Sequence, residues 1–324
     1  MSTDSAPVSP LKVVFMGTAD LASASLRALI AAPFAQLIAV VSQPDKPKGR
    51  DLKLQPTPVK TLALDHQLPV LQPQRARDPE FIAQLAAFQP DLIVVAAYGQ
   101  ILPQALLDIP RLGCLNVHTS LLPSYRGAAP IQWAILDGLT ETGVTIMQMD
   151  AGLDTGPMLT QVTTPIEPDD NAQTLHDRLA ELGGALLVKT IPEYAAGRVA
   201  PRPQPATGST YARKITKDDG RIDWSRPARD LWNQVRGLTP WPGAFTHLGS
   251  VAKPRLLKIW RAEVTPETTA APGTILHADK AGITVGCGQG SLRVLELQLE
   301  GSRRLAAPEF LSGHPLPAGT RLGN

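Results

Sequence analysis

Two apolar runs, LKVVFMG at 11–17 and QLIAVVS at 36–42, enclose a helical pattern, ADLASASLRALIAA at 19–32, which Pro33 stops. Each apolar run reads as a buried strand, and the order strand, helix, strand gives a βαβ unit with a right-handed crossover. The same alternation continues: strand-like runs at 91–99 (DLIVVAAYG), 111–118 (RLGCLNVH) and 143–150 (GVTIMQMD) are interleaved with helical patterns at 78–89 and 171–197. This order predicts an α/β fold, a Rossmann-like doubly wound and mainly parallel sheet.

The pattern ends near residue 197. Residues 197–210, GRVAPRPQPATGST, hold three prolines and two glycines and read as an extended, solvated linker. Beyond Tyr211 come short runs at 255–264, 273–278, 282–288 and 291–299, separated by Gly and Pro turns at the spacing of a small OB-like β-barrel. A chain of 324 residues exceeds the usual size of one compact domain. The expected division is a catalytic domain at 1–196, a linker at 197–210 and a carboxyl-terminal domain at 211–324.

Charge follows the same division. Net charge is only +2, yet residues 1–200 carry 14 Lys and Arg against 19 Asp and Glu, and residues 201–324 carry 17 against 10. Such a basic segment can be a solvated face, but a polyanionic partner is the reading that gives the asymmetry a use. The polar opening MSTDSAPVSP lacks the regions of a signal peptide, and no apolar run reaches membrane-spanning length, so a soluble cytoplasmic protein with no membrane partner is expected. Cys114 and Cys287 form no CxxC pair; they read as packing residues, and no metal site is expected.

The first glycine turn, FMGTADLA, has one glycine where the dinucleotide fingerprint needs three, which argues against NAD. Gly17 and Thr18 still shape a βα turn with free backbone donors. The stronger chemistry lies in GCLNVHTSLLPSYRGAAP at 113–130. Asn116 and His118, two apart on a strand, project from one face at the carboxyl end of the sheet, where open α/β sheets bind ligands. An amide N–H stabilises an oxyanion and an imidazole moves protons at neutral pH; both residues also serve as ordinary turn formers. DAGLDTGPM at 150–158 follows another buried strand and presents Asp154 on a glycine-bounded loop, placed either to orient His118 or to cap its own turn. For Asp150 the capping role is preferred.

Together, NVHTSLLPSYRGAAPIQWAILDG, ETGVTIMQMDAGLDTG, the opening VVFMGTADLA, the loop SQPDKPKGRDLKLQPTPVK at 42–60, the strand VVAAYGQILP and the later IDWSRPARDLWNQVRGLTPWPGAF resemble the folate-dependent formyltransferases over nearly the whole chain. Within that family the long loop and the basic tail resemble the enzymes that act on methionyl-tRNA. Two positions depart from the family pattern: Gly17-Thr18-Ala19-Asp20-Leu21 stands where GTPxF is usual, and Thr119 where Gly or Ala is usual.

The resemblance implies that 10-formyltetrahydrofolate donates a formyl group to the α-amino group of methionine on initiator tRNA, without a metal. Attack of a neutral amine on a formyl carbon develops an oxyanion and an ammonium. Asn116 stabilises the first, His118 relays the proton of the second toward the departing folate nitrogen, and Asp154 holds His118. No covalent intermediate is needed. By resemblance Ser120, Leu121, Leu122 and Pro123, with Gln100, Ile101 and Leu102, flank the folate. Lys46, Lys48, Arg50 and Lys53, in a loop longer than a βα connection requires, reach the acceptor end of the tRNA. The basic tail, whose Trp224, Trp232, Trp241 and Trp260 belong mostly to its core, grips the tRNA arm, and a monomer is expected. Two rivals remain: a formyltransferase acting on a small amine, such as an amino sugar nucleotide or a glycinamide ribotide, and a nonenzymatic RNA-binding protein on the same scaffold.

Overall fold

A computed structural model describes residues 10–48, 53–249, 254–266 and 271–323. The chain divides into two compact units: one of residues 1–127, 142–164 and 176–211, the other of 128–141, 165–175 and 212–324.

The first unit is built on a seven-stranded sheet. In chain order it contains β1 (Leu11–Gly17), α1 (Asp20–Ile30), β2 (Ala35–Val41), β3 (Lys46–Lys48), β4 (Lys53–Gln55), α2 (Pro58–Asp65), β5 (Val70–Leu71), α3 (Pro79–Ala87), β6 (Leu92–Ala96), α4 (Gln104–Leu107), β7 (Cys114–His118) and the two-residue β8 (Arg126–Gly127). After α5 (Pro130–Leu136), which belongs to the second unit, follow β9 (Glu141–Gln148), β10 (Met158–Pro165) and α6 (Ala172–Ala195). The strand order is β10-β9-β7-β6-β1-β2-β5. Pairing is parallel from β7 through β5, and β9 is antiparallel to β7. The order reverses between β1 and its two neighbours, and ligands of such sheets bind at the carboxyl ends beside that reversal.

Burial on both faces explains the sequence of the central strands. Val13, Val14, Phe15 and Met16 of β1 and Leu92, Ile93 and Val94 of β6 have no exposed surface. Glycine permits the closest approaches. A Cβ on Gly17 would stand 2.7 Å from Cβ of Ala22 and 3.0 Å from the Ala96 carbonyl oxygen, so the lone glycine of the first turn lets β1, α1 and β6 meet. In α6, a Cβ on Gly183 would lie 2.8 Å from a Val117 methyl and one on Gly184 3.0 Å from the Ala24 carbonyl oxygen. The helix therefore covers the Val117 face of β7, which leaves Asn116 and His118 on the opposite face.

The second unit contains β11 (Tyr211–Ala212) at its border, a 3-10 turn at Asp218–Gly220, α7 (Ala228–Gly237), β12 (Ala244–Leu248), β13 (Arg255–Thr265), β14 (Ile275–Asp279), β15 (Gly282–Gly286), β16 (Ser291–Leu299), β17 (Leu305–Ala306) and α8 (Ala307–Gly313). Its strands form one antiparallel sheet in the order β12-β13-β16-β15-β14, with β17 on β16. The β domain expected here as a small OB-like barrel is present as an antiparallel sheet, which runs as an open path among the described residues. Its core gathers Leu231 and Val235 of α7, Phe310 of α8, and Leu257, Ile259, Val285, Leu292 and Leu297. Trp224 is buried there, with Nε1 donating to Oγ1 of Thr246, while Trp241 remains 54% exposed. Guanidiniums of Arg229 and Arg236 stack on Trp232, and Lys258 and Arg304 flank Trp260. No described helix is long and apolar enough to cross a membrane.

Candidate active site

Strand β7 ends at the candidate site. Asn116 is half-buried and His118 is buried, both beside the loop that joins β9 to β10. That loop is shaped from within. Oδ1 of Asp150 accepts the Gly152 N–H at 3.0 Å and the Thr155 hydroxyl at 2.7 Å, the capping role expected of it. At Gly156 a Cβ would fall 1.9 Å from the Gln148 carbonyl oxygen, so only glycine allows the loop to return to β10. Between them Asp154 takes a left-handed φ of 53°, a conformation Asp tolerates better than most residues.

This turn delivers the Asp154 carboxylate to β7. Its Oδ1 accepts from the Asn116 amide at 3.4 Å, its Oδ2 accepts the Gly127 N–H at 2.8 Å, and Oδ2 stands 3.7 Å from Nδ1 of His118. The other ring nitrogen, Nε2, lies 2.9 Å from the Tyr125 carbonyl oxygen. A carbonyl only accepts, so Nε2 carries the proton of that bond. Nδ1, beside the carboxylate, is then the nitrogen free to take up a proton.

The turn after β7 is fixed by side chains from the two antiparallel strands. Oγ1 of Thr145, fully buried on β9, donates to the Ser120 carbonyl at 2.7 Å and accepts the Leu122 N–H at 3.1 Å. Gln161 of β10 donates to the Leu122 carbonyl at 3.0 Å. The Ser120 hydroxyl donates to the Ser124 carbonyl at 2.6 Å, within its own turn. Leu122 is buried, whereas Leu121 and Pro123 are half-exposed. Thr119, the family departure, is 7% exposed.

At the end of β6, Ala97 and Gly99 take positive φ values of 42° and 83° and turn the chain out of the sheet. Thr18 Oγ1 and Gln43 Nε2 both donate to the Tyr98 carbonyl, at 2.9 and 2.8 Å, and so tie the ends of β1, β2 and β6 together. Ile101 is 80% exposed beside this knot, while Leu102 is buried in the core. The Gln100 side chain accepts the Ala76 N–H and donates to the Gln74 carbonyl.

The basic loop begins at the same knot. Strands β3 and β4 form an antiparallel hairpin that pairs Lys46 with Gln55 and Lys48 with Lys53. Lys46 donates to Oε1 of Gln43 at 2.9 Å, Lys53 is exposed, and Leu54 is 70% exposed. Arg50 lies outside the described residues. Behind the hairpin, hydrogen bonds from Lys60 and Gln72 hold the Asp45 carboxyl below its usual range. Among the described residues no group of three or more His, Cys, Asp or Glu stands where it would hold a metal.

The structure thus gathers Asn116, His118 and Asp154 at one place, with the 120–123 turn following β7 and Ile101 at the end of β6. Lys46 and Lys53 emerge on a hairpin beyond β2. Residue types alone gave no role to Thr145, Gln161, Gln43, Arg126 or Gln204. Arg126 stood inside the quoted motif, but Gln204 sat in a proline-rich stretch that reads as spacer.

Residues 11–191 match the model of the family described as formyl transferase, and residues 214–315 match that of its carboxyl-terminal domain. The chain belongs to the formyl transferase family. Methionyl-tRNA formyltransferase of Geobacter sulfurreducens is 52% identical over 97% of both chains, and that of Aromatoleum aromaticum 53% identical over 96% of this chain and 97% of its own. Among solved structures, the N-formyltransferase from Helicobacter canadensis, in complex with folinic acid and dTDP-3-aminofucose, superposes with a TM-score of 0.64 at 18% identity, over 91% of this chain and all of that one. At that identity the likeness is one of fold, and it covers both units of the formyltransferase.

Proposed function

We propose that this formyltransferase transfers the formyl group of 10-formyltetrahydrofolate to the α-amino group of methionine on initiator tRNA. The observation that carries the chemistry is a single carboxylate, Asp154, reached by the Asn116 amide, the Gly127 N–H and the His118 ring together. Relatives of the same length and about half-identical sequence bear the name methionyl-tRNA formyltransferase, which supports this acceptor over an amino sugar nucleotide.

The folate co-substrate supplies a formyl group already activated for transfer. One N–H of the Asn116 amide is directed at Asp154, which orients the second toward the formyl oxygen, where negative charge gathers as the amine adds. The new bond joins the methionyl nitrogen to the formyl carbon, and the bond from that carbon to the folate nitrogen breaks. His118 accepts the ammonium proton at Nδ1 and passes it to the departing nitrogen. Asp154 keeps the imidazole in that orientation throughout. The half-exposed Leu121 and Pro123 and the exposed Ile101 offer apolar surface to a flat ring, with the backbone of Gln100, Leu102, Ser120 and Leu122 beside it.

The first unit carries this chemistry, residues 197–210 packing with it although they read as a linker, and the basic residues 211–324 hold the tRNA. Lys46, Lys48, Arg50 and Lys53 meet the acceptor end, their charges neutralising phosphates. The stacked Arg–Trp and Lys–Trp pairs of the second unit present positive charge on rigid aromatic bases. The protein acts as a cytoplasmic monomer. The deciding experiment offers purified protein and 10-formyltetrahydrofolate to charged initiator methionyl-tRNA and, separately, to an amino sugar nucleotide. Formylation of the nucleotide alone would overturn the assignment.

A further inference from the structure

Gln204 lies in the stretch where the sequence reads only a spacer. Its side chain nevertheless joins the two loops that supply the partners of His118 and Asp154. Nε2 of Gln204 donates to the main-chain carbonyls of Asp154 and Gly156, each at 2.8 Å. Its Oε1 accepts both Nε and Nη2 of Arg126, at 3.0 and 2.7 Å. Every hydrogen-bonding group of the amide that is engaged here meets either the Asp154 loop or the segment 125–127.

Arg126 is placed between the two backbone groups that matter. Its predecessor Tyr125 offers the carbonyl that faces His118, and its successor Gly127 gives the N–H that reaches Asp154. The stretch after Gln204 runs beside the same residues: Arg126 N–H donates to the Thr210 carbonyl at 2.9 Å and Tyr125 N–H to the Thr210 hydroxyl at 2.8 Å. All of these residues belong to the first unit.

The contact has leverage because the His118–Asp154 separation is already 3.7 Å, at the outer edge of an ion-pair contact. Displacement of a reacting or orienting group by about 1 Å costs a transfer reaction on the order of 10²-fold. Asp154 takes a left-handed φ within its loop, and Gln204 grips its carbonyl there. A charge-assisted bond from Arg126 holds Gln204 in turn, and such bonds are roughly twice as strong as neutral ones.

We propose that Gln204 is a positioning residue for formyl transfer, acting through Asp154 on His118. This rests on the formyl-transfer reading above. Gln204→Glu keeps an acceptor for Arg126 but removes the donor to both carbonyls, and Gln204→Met removes both at similar size.

The test measures steady-state formylation of methionyl-tRNA, at enzyme concentrations raised for the slow variants but kept below substrate, for the wild type, Gln204→Glu and Gln204→Met. Each substitution is also made in an Asp154→Asn background. The expected loss is about 10- to 100-fold in kcat, with KM for both substrates within about twofold, and it shrinks below about twofold once Asp154 is already changed. Wild-type turnover in both variants would overturn the proposal. So would a loss carried by KM, a loss undiminished in the Asp154→Asn background, or collapse of the thermal unfolding midpoint in both variants, which would assign the contact to the fold. A wild-type protein inactive on methionyl-tRNA would sink the acceptor assignment instead.

Discussion

Oδ2 of Asp154 stands 3.7 Å from Nδ1 of His118 while accepting the Gly127 N–H at 2.8 Å. One carboxylate oxygen thus has both a fixed main-chain donor and an imidazole neighbour. The hydrogen bond holds that oxygen in place beside the ring. Because Nε2 is committed to the Tyr125 carbonyl, the proposed proton relay runs through the nitrogen that faces Asp154.

Asn116→Ala removes the amide proposed to meet the formyl oxygen. Loss of one such donor lowers kcat about 10²-fold or more, with KM for folate little changed, because the interaction matures only in the transition state. Steady-state kinetics of a folded variant check this, and near-normal kcat would take Asn116 out of the mechanism.

Asp154→Asn retains a side chain suited to the φ of 53°, so the loop should keep its shape. The new amide brings a donor among groups that are themselves donors, Asn116 and Gly127. Turnover should fall by about 10²-fold or more, as for loss of the group that orients a catalytic imidazole, with unfolding temperature nearly constant. Equal kcat in the two proteins would show that His118 needs no carboxylate.

At Gly156 even one methyl group is excluded, since its position lies 1.9 Å from a main-chain oxygen that cannot swing aside. Gly156→Ala should cost about 1–3 kcal/mol of stability, as for overpacked sites, and lower kcat as the Asp154 loop shifts. Urea unfolding and kinetics on the same preparation test both effects, and an unchanged protein would contradict the packing.

Burial, with a smaller contribution from Asp108, pushes the Cys114 thiol up to about 12 from 9.0. The unfolded chain therefore releases this proton first as pH rises. The stabilisation is complete below pH 9 and is lost between pH 9 and about 12, the direction required when the folded form binds the proton more tightly. Urea titrations at pH 8 and 10.5 should show a steeper decline for the wild type than for Cys114→Ala; parallel declines would mean the thiol ionises freely in the fold.

Lys46, Lys48, Arg50 and Lys53 are assigned to tRNA phosphates on charge and loop length. Replacing Arg50 by Ala should reduce the log–log salt slope of tRNA binding by roughly one unit, as for loss of one phosphate contact. It should also depress kcat more than affinity if the loop aligns the methionyl group. Filter binding at several salt concentrations, with kinetics alongside, measures both. An Arg50→Ala protein with an unchanged slope and full turnover would return the loop to solvated surface.

Local pattern determined much of this protein. Short apolar runs such as VVFMG and LIVVA read as strands buried on both faces, and the helices between them favour parallel pairing, so most of the sheet follows from order alone. The spacing of two placed Asn116 and His118 on one face, because a strand alternates its side chains. Glycines at 152 and 156 marked a tight loop around Asp154. Tertiary structure decided what no local pattern encodes: β9 runs antiparallel to β7, Thr145 secures the 120–123 turn, and Gln204 reaches back across 50 residues to the Asp154 carbonyl. A hydrogen-bond partner distant in sequence leaves no periodicity at either end. Until the chain has folded, an amide among prolines is indistinguishable from one that faces only water.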